Sequence, residues 1–309
     1  MESLKWIIGY LKYHIPKYSI ALILVLITSL LSMINPFLAG DIVDRVLKGN
    51  EKNILIPILI IMLVVVVIKG ILTYTYQMIF ERVSQDILLN IRKDLYSKLL
   101  KLDFDYYNNT KTGDIMARMT GDTDALRHFI AWVVYNILSN LSVFIFAIIS
   151  MAIVSLPLTL FMLAICPIIA IITIKMGVQI SPTFYNIREA YSRLNSVTQE
   201  NISGNRVVKA FSREDYEIEK FNKENLNYKE KNMDTTKIIG KYMPVLEYLS
   251  SFLSIIMILV GGILVINKSM TLGDLVIFNG LLWALNNPMR MAGYLINDTE
   301  RFIASSIKI

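Results

Sequence analysis

The hydrophobic positions of this chain fall into long uncharged runs, separated by two stretches in which charges and apolar residues alternate at helical spacing. Residues 18–38 form an uncharged run of 21 residues, residues 54–80 are interrupted only by Lys69, and residues 129–174 hold no Asp, Glu, Lys or Arg in 46 residues. About 20 apolar residues suffice to cross a bilayer as a helix. The third run therefore predicts two spans, over 129–154 and 158–177, with a tight turn at Ser155, Leu156 and Pro157. Further spans are predicted over 245–266 and 273–292, separated by a short turn at 267–271, which makes six.

Between the spans the apolar periodicity does not stop. Ile87, Ile91, Leu95, Leu99 and Leu102 continue the second run with charges between them. If residues 54–108 form one helix, it is about 80 Å long at 1.5 Å per residue, against about 30 Å of hydrocarbon. Ile187, Tyr191, Leu194 and Val197 extend the fourth span in the same way as far as Gly204, where the helical run is expected to end. Val207, Val208 and Phe211 then give the following charged segment an apolar edge. Pro167 and Pro182 are expected to kink the fourth helix, and Pro244 marks the entry to the fifth. At the N-terminus, Trp6, Tyr10 and Tyr13 recur on one face among Lys5 and Lys12, which predicts an amphipathic elbow helix over 1–16, stopped by Pro16. The run after it is too long for a cleaved signal core.

Composition agrees: 54% of residues are hydrophobic and the mean hydropathy is +0.51, above the soluble range. The net charge of +6 does not point to nucleic acid, because the basic residues flank the apolar runs. The long loops, 81–128 and 178–241, are rich in Lys and Arg, with 8 in residues 81–128 and 12 in residues 175–241. The short loops at 39–53, 155–157 and 267–274 hold 3, none and 1. The positive-inside rule then puts the long loops and both termini in the cytoplasm. A single cysteine, Cys166, and two distant histidines, His14 and His128, offer no metal-ligand spacing. No G-x-x-x-x-G-K-[ST] occurs, since the one Gly-Lys pair, Gly240-Lys241, is followed by Tyr. Catalysis by this chain alone is not expected.

Two segments of the long loops stand out. In the first, Tyr106 and Tyr107 precede Lys111, Thr112, Gly113, Asp114, Ile115, Met116, Ala117, Arg118 and Met119. Gly113 is expected to free the backbone to turn, Asp114 to sit in the first turn of a short helix, and Ile115 and Met119 to share its face. The second is QENISGNRVVKAFSREDYEIEKF, residues 199–221. Together with the terminal TERFIASSIKI, these segments resemble the cytoplasmic loops and sixth-span exit of ABC exporters with six spans per half, the multidrug and lipid exporter superfamily. The resemblance covers essentially the whole chain. It implies an all-α polytopic fold whose six long helices extend into the cytoplasm, the type-1 transmembrane domain of that family.

The resemblance further implies that Thr112, Gly113, Asp114, Ile115, Met116, Arg118 and Met119 form a first coupling helix. Val208, Lys209, Ala210, Phe211, Ser212, Arg213, Glu214 and Asp215 would form a second, with Phe211 as its apolar anchor. The nucleotide-binding domain that would bind ATP and Mg is absent from these 309 residues, so it is expected later in a longer chain or as a separate one. Implied partners are the bilayer, that domain, and a second transmembrane half, identical or different; the implied location is the bacterial inner (plasma) membrane. Ionisable and polar groups inside the spans are the substrate-cavity candidates: Lys69, Glu247, Trp283, Asn286, Asn287 and Arg290. Phe278, Tyr74 and Tyr76 are aromatic candidates for the same lining. The expected cargo is an amphipathic drug, lipid or peptide. An ion-coupled secondary transporter and a membrane scaffold are the rival readings; the first is at odds with the long asymmetric loops.

Overall fold

In a lipid-like environment every backbone polar group must be satisfied within its own segment, which leaves helices as the structure for uncharged runs of this length. A computed structural model describes residues 2–309, with side chains from Trp6 onward, and among these the chain is helical without a strand. The helices are α1 (Glu2–Leu11), α2 (Ile15–Asp41), α3 (Leu55–Leu99), α4 (Phe104–Asn109), α5 (Thr112–Ala117), α6 (Thr123–His128), α7 (Val134–Val154), α8 (Leu156–Ala210), α9 (Glu214–Ile266) and α10 (Leu272–Lys308). Wider π-type turns at Arg118–Asp122 and Phe129–Val133 join α5, α6 and α7 without a break in the helical path, and one at Ile42–Lys48 extends α2 as far as Gly49. Ser155, with extended backbone, is the one residue separating α7 from α8, where the turn was expected.

Three expectations change. The second helix ends at Leu99 rather than continuing through Asn108, because Asp103 starts a new helix, its carboxylate accepting the Tyr106 N–H. It is still about 68 Å long, far more than the hydrocarbon requires. Gly204 does not end a helix. α8 runs 55 residues through it, as a single interior glycine costs only about 1 kcal/mol against Ala. Pro16 opens α2 in its first turn, where its missing N–H is unneeded, rather than closing the elbow.

Five helical stretches among the described residues are long and apolar enough to cross a membrane: Trp6–Lys48, Lys52–Leu99, Thr112–Val154, Leu156–Ala210 and Glu214–Ile266. α10, expected as a sixth span, is 37 residues long but falls short in apolarity. Asn279, Asn286, Asn287 and Arg290 dilute it, while Ile277, Phe278, Leu281, Leu282, Ala284 and Leu285 are buried. A helix packed on its neighbours needs only one apolar stripe, and α10 has it.

The chain divides into two compact units, one comprising Met1–Leu163 with Leu253–Ile309, the other Ala164–Phe252. In the first unit α2 packs on α3, α7 and α10. Its inner stripe, Tyr18, Ala21 and Val25, is buried with Tyr76, Phe80, Val83 and Ile87 of α3. Tyr18 meets Phe80 edge-on at 4.8 Å between ring centroids and donates its hydroxyl to the Ile130 carbonyl at 3.1 Å. The opposite faces carry exposed Ile56, Leu59, Ile60, Leu63 and Val67, the surface a lipid environment covers. α1 is tied to α3 by the Tyr10 hydroxyl, which donates to Asp94 at 2.8 Å. Burial, then that carboxylate, push the Tyr10 phenol up to about 12.

At the Gly40 end of the bundle, α2 and α10 approach through small residues. A side chain on Gly40 would meet Ile277 and the Gly273 carbonyl, and one on Gly280 would meet Pro36 at 3.0 Å. The Gly273 N–H donates to Asp44 at 2.9 Å, so a carboxylate following α2 sits on the N-terminus of α10. Thr271 and Asp274 complete that terminus as a reciprocal capping box.

In the second unit, α8 and α9 meet through the Thr235 hydroxyl donating to the Thr183 hydroxyl at 2.8 Å and the Tyr191 and Tyr228 rings at 5.7 Å. Lys220 and Glu200 pair at 2.7 Å, and Ala190 and Val197 are buried.

Gly273→Ala places a Cβ against the Asp44 carboxylate and the Gly40 carbonyl, whereas Gly262→Ala enters open space. Thermal unfolding of the purified chain should show a loss of about 1–3 kcal/mol for Gly273→Ala and little change for Gly262→Ala. Equal unfolding of the two variants would mean that the α2–α10 approach is not tight.

Candidate functional site

The connection from α3 to α7 folds on itself. The Tyr107 hydroxyl donates to the Leu99 carbonyl at 2.7 Å, closing α4 back onto the end of α3. α5 begins with the Asp114 and Ile115 N–H groups donating to the Lys111 carbonyl, and Asp114 lies in its first turn as expected. Thr112, Gly113, Asp114 and Met116 are exposed, whereas Ile115, Arg118 and Met119 are half-buried. Gly113 is inside the helix without a left-handed backbone, so it supplies no turn. Arg118 lies beyond α5 and donates to the Tyr106 hydroxyl at 3.4 Å.

This connection is fastened to the end of α10. Asp122 accepts the Ser305 hydroxyl at 2.9 Å, with the Lys308 ammonium at 3.7 Å. The Phe302 ring, buried to 1% exposure, stacks on Phe129 with centroids 3.9 Å apart. His128 lies 3.4 Å from Asp298 and stacks on Trp132. Arg127 bridges Asp124 at 2.8 Å and Glu81 at 2.9 Å. The hydrogen bond to Asp124 above all, then both neighbouring charges, raise its pKa against the opposing effect of burial. Asp122, Phe302, Ser305 and Lys308 lie in or beside segments that carry the family resemblance, but sequence reasoning gives none of them, nor Asp298, a role. The spacing of Asp298, Phe302 and Ser305 does mark one helical face, but nothing in the sequence says what that face meets.

In the second unit, the segment 208–215 forms no helix of its own. Val208, Lys209 and Ala210 end α8, Phe211, Ser212 and Arg213 turn, and Glu214 and Asp215 start α9. The Arg213 N–H donates to the Val208 carbonyl at 3.0 Å and the Ser212 N–H to the Lys209 carbonyl at 3.3 Å. These are the two bonds of a Schellman motif, with Ser212 at φ 48° in the left-handed position that glycine usually takes. Phe211 is 74% exposed, a large apolar side chain held out from the tip. Lys209 and Glu214 pair across the turn at 3.6 Å.

The intramembrane candidates are not brought together as one cluster. Lys69 is half-buried on α3 and makes no ion pair or hydrogen bond among the described residues. Asn286 buries its side-chain oxygen without a donor. Asn287 and Arg290 are exposed and Trp283 is 40% exposed on α10, while Glu247 is exposed in the second unit. Of the aromatic candidates, Phe278 and Tyr76 belong to the core and only Tyr74 is open. Between α7 and α10 lies an apolar groove of about 400 Å³, lined by Ile137, Leu141, Phe144, Pro288 and Leu295, with Glu300 among the lining residues. Among the described residues no group of three His, Cys, Asp or Glu side chains is placed to hold a metal ion.

A non-glycine residue in the left-handed region carries a backbone cost of about 1–2 kcal/mol. Ser212→Gly is therefore expected to stabilise the α8–α9 turn by about 1 kcal/mol, and Ser212→Val to weaken it. Limited proteolysis at this turn reads the difference: slower cleavage for the glycine variant and faster for the valine variant.

Residues 18–289 match the model of the ABC transporter transmembrane region. The chain is 29% identical over 312 residues to the ABC transporter ATP-binding protein YknU of Bacillus subtilis, covering 100% of this chain and 53% of that protein. It is 30% identical over 305 residues to the multidrug resistance-like ATP-binding protein MdlA of Buchnera aphidicola (Schizaphis graminum), covering 97% and 52%. With the ATP-dependent lipid A-core flippase of Desulfotalea psychrophila the identity is 26% over 297 residues, covering 96% and 52%. The chain thus spans about half the length of the curated relatives it matches. With a family model matching most of its length and apolar helices able to cross a bilayer, this membrane protein belongs to the ABC transporter transmembrane-region family.

Proposed function

We propose that the chain is the membrane-spanning half of an ATP-driven exporter, forming a pathway for an amphipathic drug, lipid or peptide. The observation that carries this reading is the match, over essentially the whole chain, to ATP-binding transport proteins of about twice its length. ATP and Mg are bound by a nucleotide-binding domain, and this chain contributes no catalytic group. Two halves, like or unlike, assemble in the plasma membrane with both termini in the cytoplasm.

Residues 112–119 and 208–215 are the coupling segments. Their exposed apolar side chains, Met116 and Phe211, are suited to dock on another protein surface. Because α3, α8 and α9 exceed the thickness of the hydrocarbon, a displacement at their far ends is carried into the bilayer as rigid-body motion. The Asp122–Ser305 and Phe129–Phe302 contacts make α5, α6 and the end of α10 move together. The relatives' names, multidrug resistance-like protein and lipid A-core flippase, support an amphipathic cargo.

Charge reversal at the exposed turn, Arg213→Glu with Glu214→Arg, should leave thermal unfolding within about 0.5 kcal/mol. In proteoliposomes holding the chain with its ATP-binding domain, the same change should slow ATP-driven movement of a fluorescent amphiphile about tenfold. Unchanged transport would remove residues 208–215 from the coupling path. Transport by the unaltered protein that follows an ion gradient rather than ATP would favour a secondary transporter.

A further inference from the structure

Lys69 is a charge in the wrong solvent with nothing beside it to neutralise it. On α3 it belongs to the stripe Ile58, Val65, Tyr76 and Phe80, which is buried, and not to the lipid-type face of Leu63, Val67 and Ile71, which is exposed. It stands about 24 Å along the helix from Asn53 and about 18 Å from Glu81, further than a lysine side chain extends toward either end of the apolar run. A cation at that depth is costly unless an opposite charge or water meets it.

The neighbouring helices supply no such charge. From the Tyr18–Phe80 contact, eleven residues along α3 lead to Lys69, and eleven along the antiparallel α2 lead to Ser29. From the approach of Gly40 to Ile277, eleven residues back along α2 again reach Ser29, and eleven along α10 reach Pro288, within one turn of Asn286. Lys69, Ser29 and Asn286 therefore share one depth on three helices. Ser29 and Thr28 spend their hydroxyl protons on the Val25 carbonyl. The Asn286 amide has no hydrogen-bond partner among the described residues, and its oxygen is buried. No Asp or Glu occurs in residues 15–40, 54–80, 129–174, 248–266 or 275–297. The nearest carboxylate along α10 on the far side, Asp298, is about 15 Å from the level of Pro288 and faces His128. Glu247, exposed at the edge of the 248–266 run, borders these acid-free stretches in the second unit, and a second copy of this chain would repeat the same stretches and add a second Lys69.

We propose that Lys69 is the charge-recognition residue of the pathway and that the cargo is an anionic amphiphile, a phosphate, sulfonate or carboxylate on an apolar tail. The half-buried ammonium supplies the charge. The Asn286 amide, whose oxygen and nitrogen exchange places by rotation, supplies a neutral hydrogen bond at the same depth. The apolar helix surfaces take the tail. This rests on the exporter reading but is tested without nucleotide.

The chain, in nanodiscs of zwitterionic lipid, is titrated below their micellar concentrations with labelled dodecyl phosphate, dodecanoate, dodecyl maltoside and dodecyltrimethylammonium. Both anions should bind roughly tenfold more tightly than the uncharged maltoside, and the cation more weakly than either. Lys69→Met should abolish that preference and keep maltoside binding, Lys69→Arg should keep the preference, and Lys101→Met, an equal change in net charge at an exposed site, should leave it unaltered. A preference for phosphate over dodecanoate assigns a lipid-like headgroup, and equal binding assigns anionic amphiphiles generally. Because methionine removes a desolvated charge, Lys69→Met should unfold no earlier than the unaltered chain, which separates loss of binding from loss of fold. Anion preference surviving in Lys69→Met, or anions binding no better than maltoside, overturns the inference. Either result leaves the exporter reading standing, since that depends on ATP-driven movement of an amphiphile of any charge.

Discussion

The first unit depends on the packing of α2 against three other helices. Lipid offers no hydrophobic drive for helices to associate, so close contact between shaped surfaces must hold them. α2 supplies two kinds of surface. Near its start, Tyr18 fills the space between Phe80 and the Ile130 carbonyl, using its ring against one helix and its hydroxyl on another. Near its end, Gly40 and Pro36 admit Ile277 and Gly280 of α10 at van der Waals distance. Aromatic interlock and small-residue approach thus fix both ends of one helix, and the depth alignment of Lys69 and Asn286 follows from these two contacts.

At the other end of α10 the forces are those of a soluble protein. Phe302 on Phe129, Asp122 with Ser305 and Lys308, and Asp298 with His128 join the last turns of the chain to the segment that follows α5. The aromatic stack removes apolar surface from water, and the polar contacts fix its rotation. One helix, with Pro288 inside it, therefore runs from the terminus held by Asp44 to this clasp.

Much of the architecture is legible in the sequence because bilayer physics is one-dimensional. Uncharged run length gives the helices, Ser155 the break between α7 and α8, and Lys268, at φ 59°, sits in the expected short turn. Legibility fails where tertiary context outweighs local propensity. Gly204 reads as a breaker, yet the helix passes through it, and the segment around Ser212 reads as helix but closes as a left-handed turn. The clasp pairs Asp122 with residues some 180 positions away, and no local pattern encodes such a partner. Of the candidate site, the segments and the lone lysine are visible in the sequence, whereas the shared depth of Lys69 and Asn286 needs the helix register.

If residues 112–119 couple to nucleotide as proposed, their separation from the same residues of a second half changes with nucleotide state, and a distance measurement reads that change. Cys166 is the only cysteine, so a Cys166→Ala background accepts a single spin label at exposed Met116 of α5. In the membrane-reconstituted assembly with its ATP-binding domains, pulsed electron resonance reads the distance from that label to its counterpart on the second half. Coupling gives a distance that shortens when ATP is bound and lengthens after hydrolysis. A distribution that is the same with and without nucleotide would contradict it.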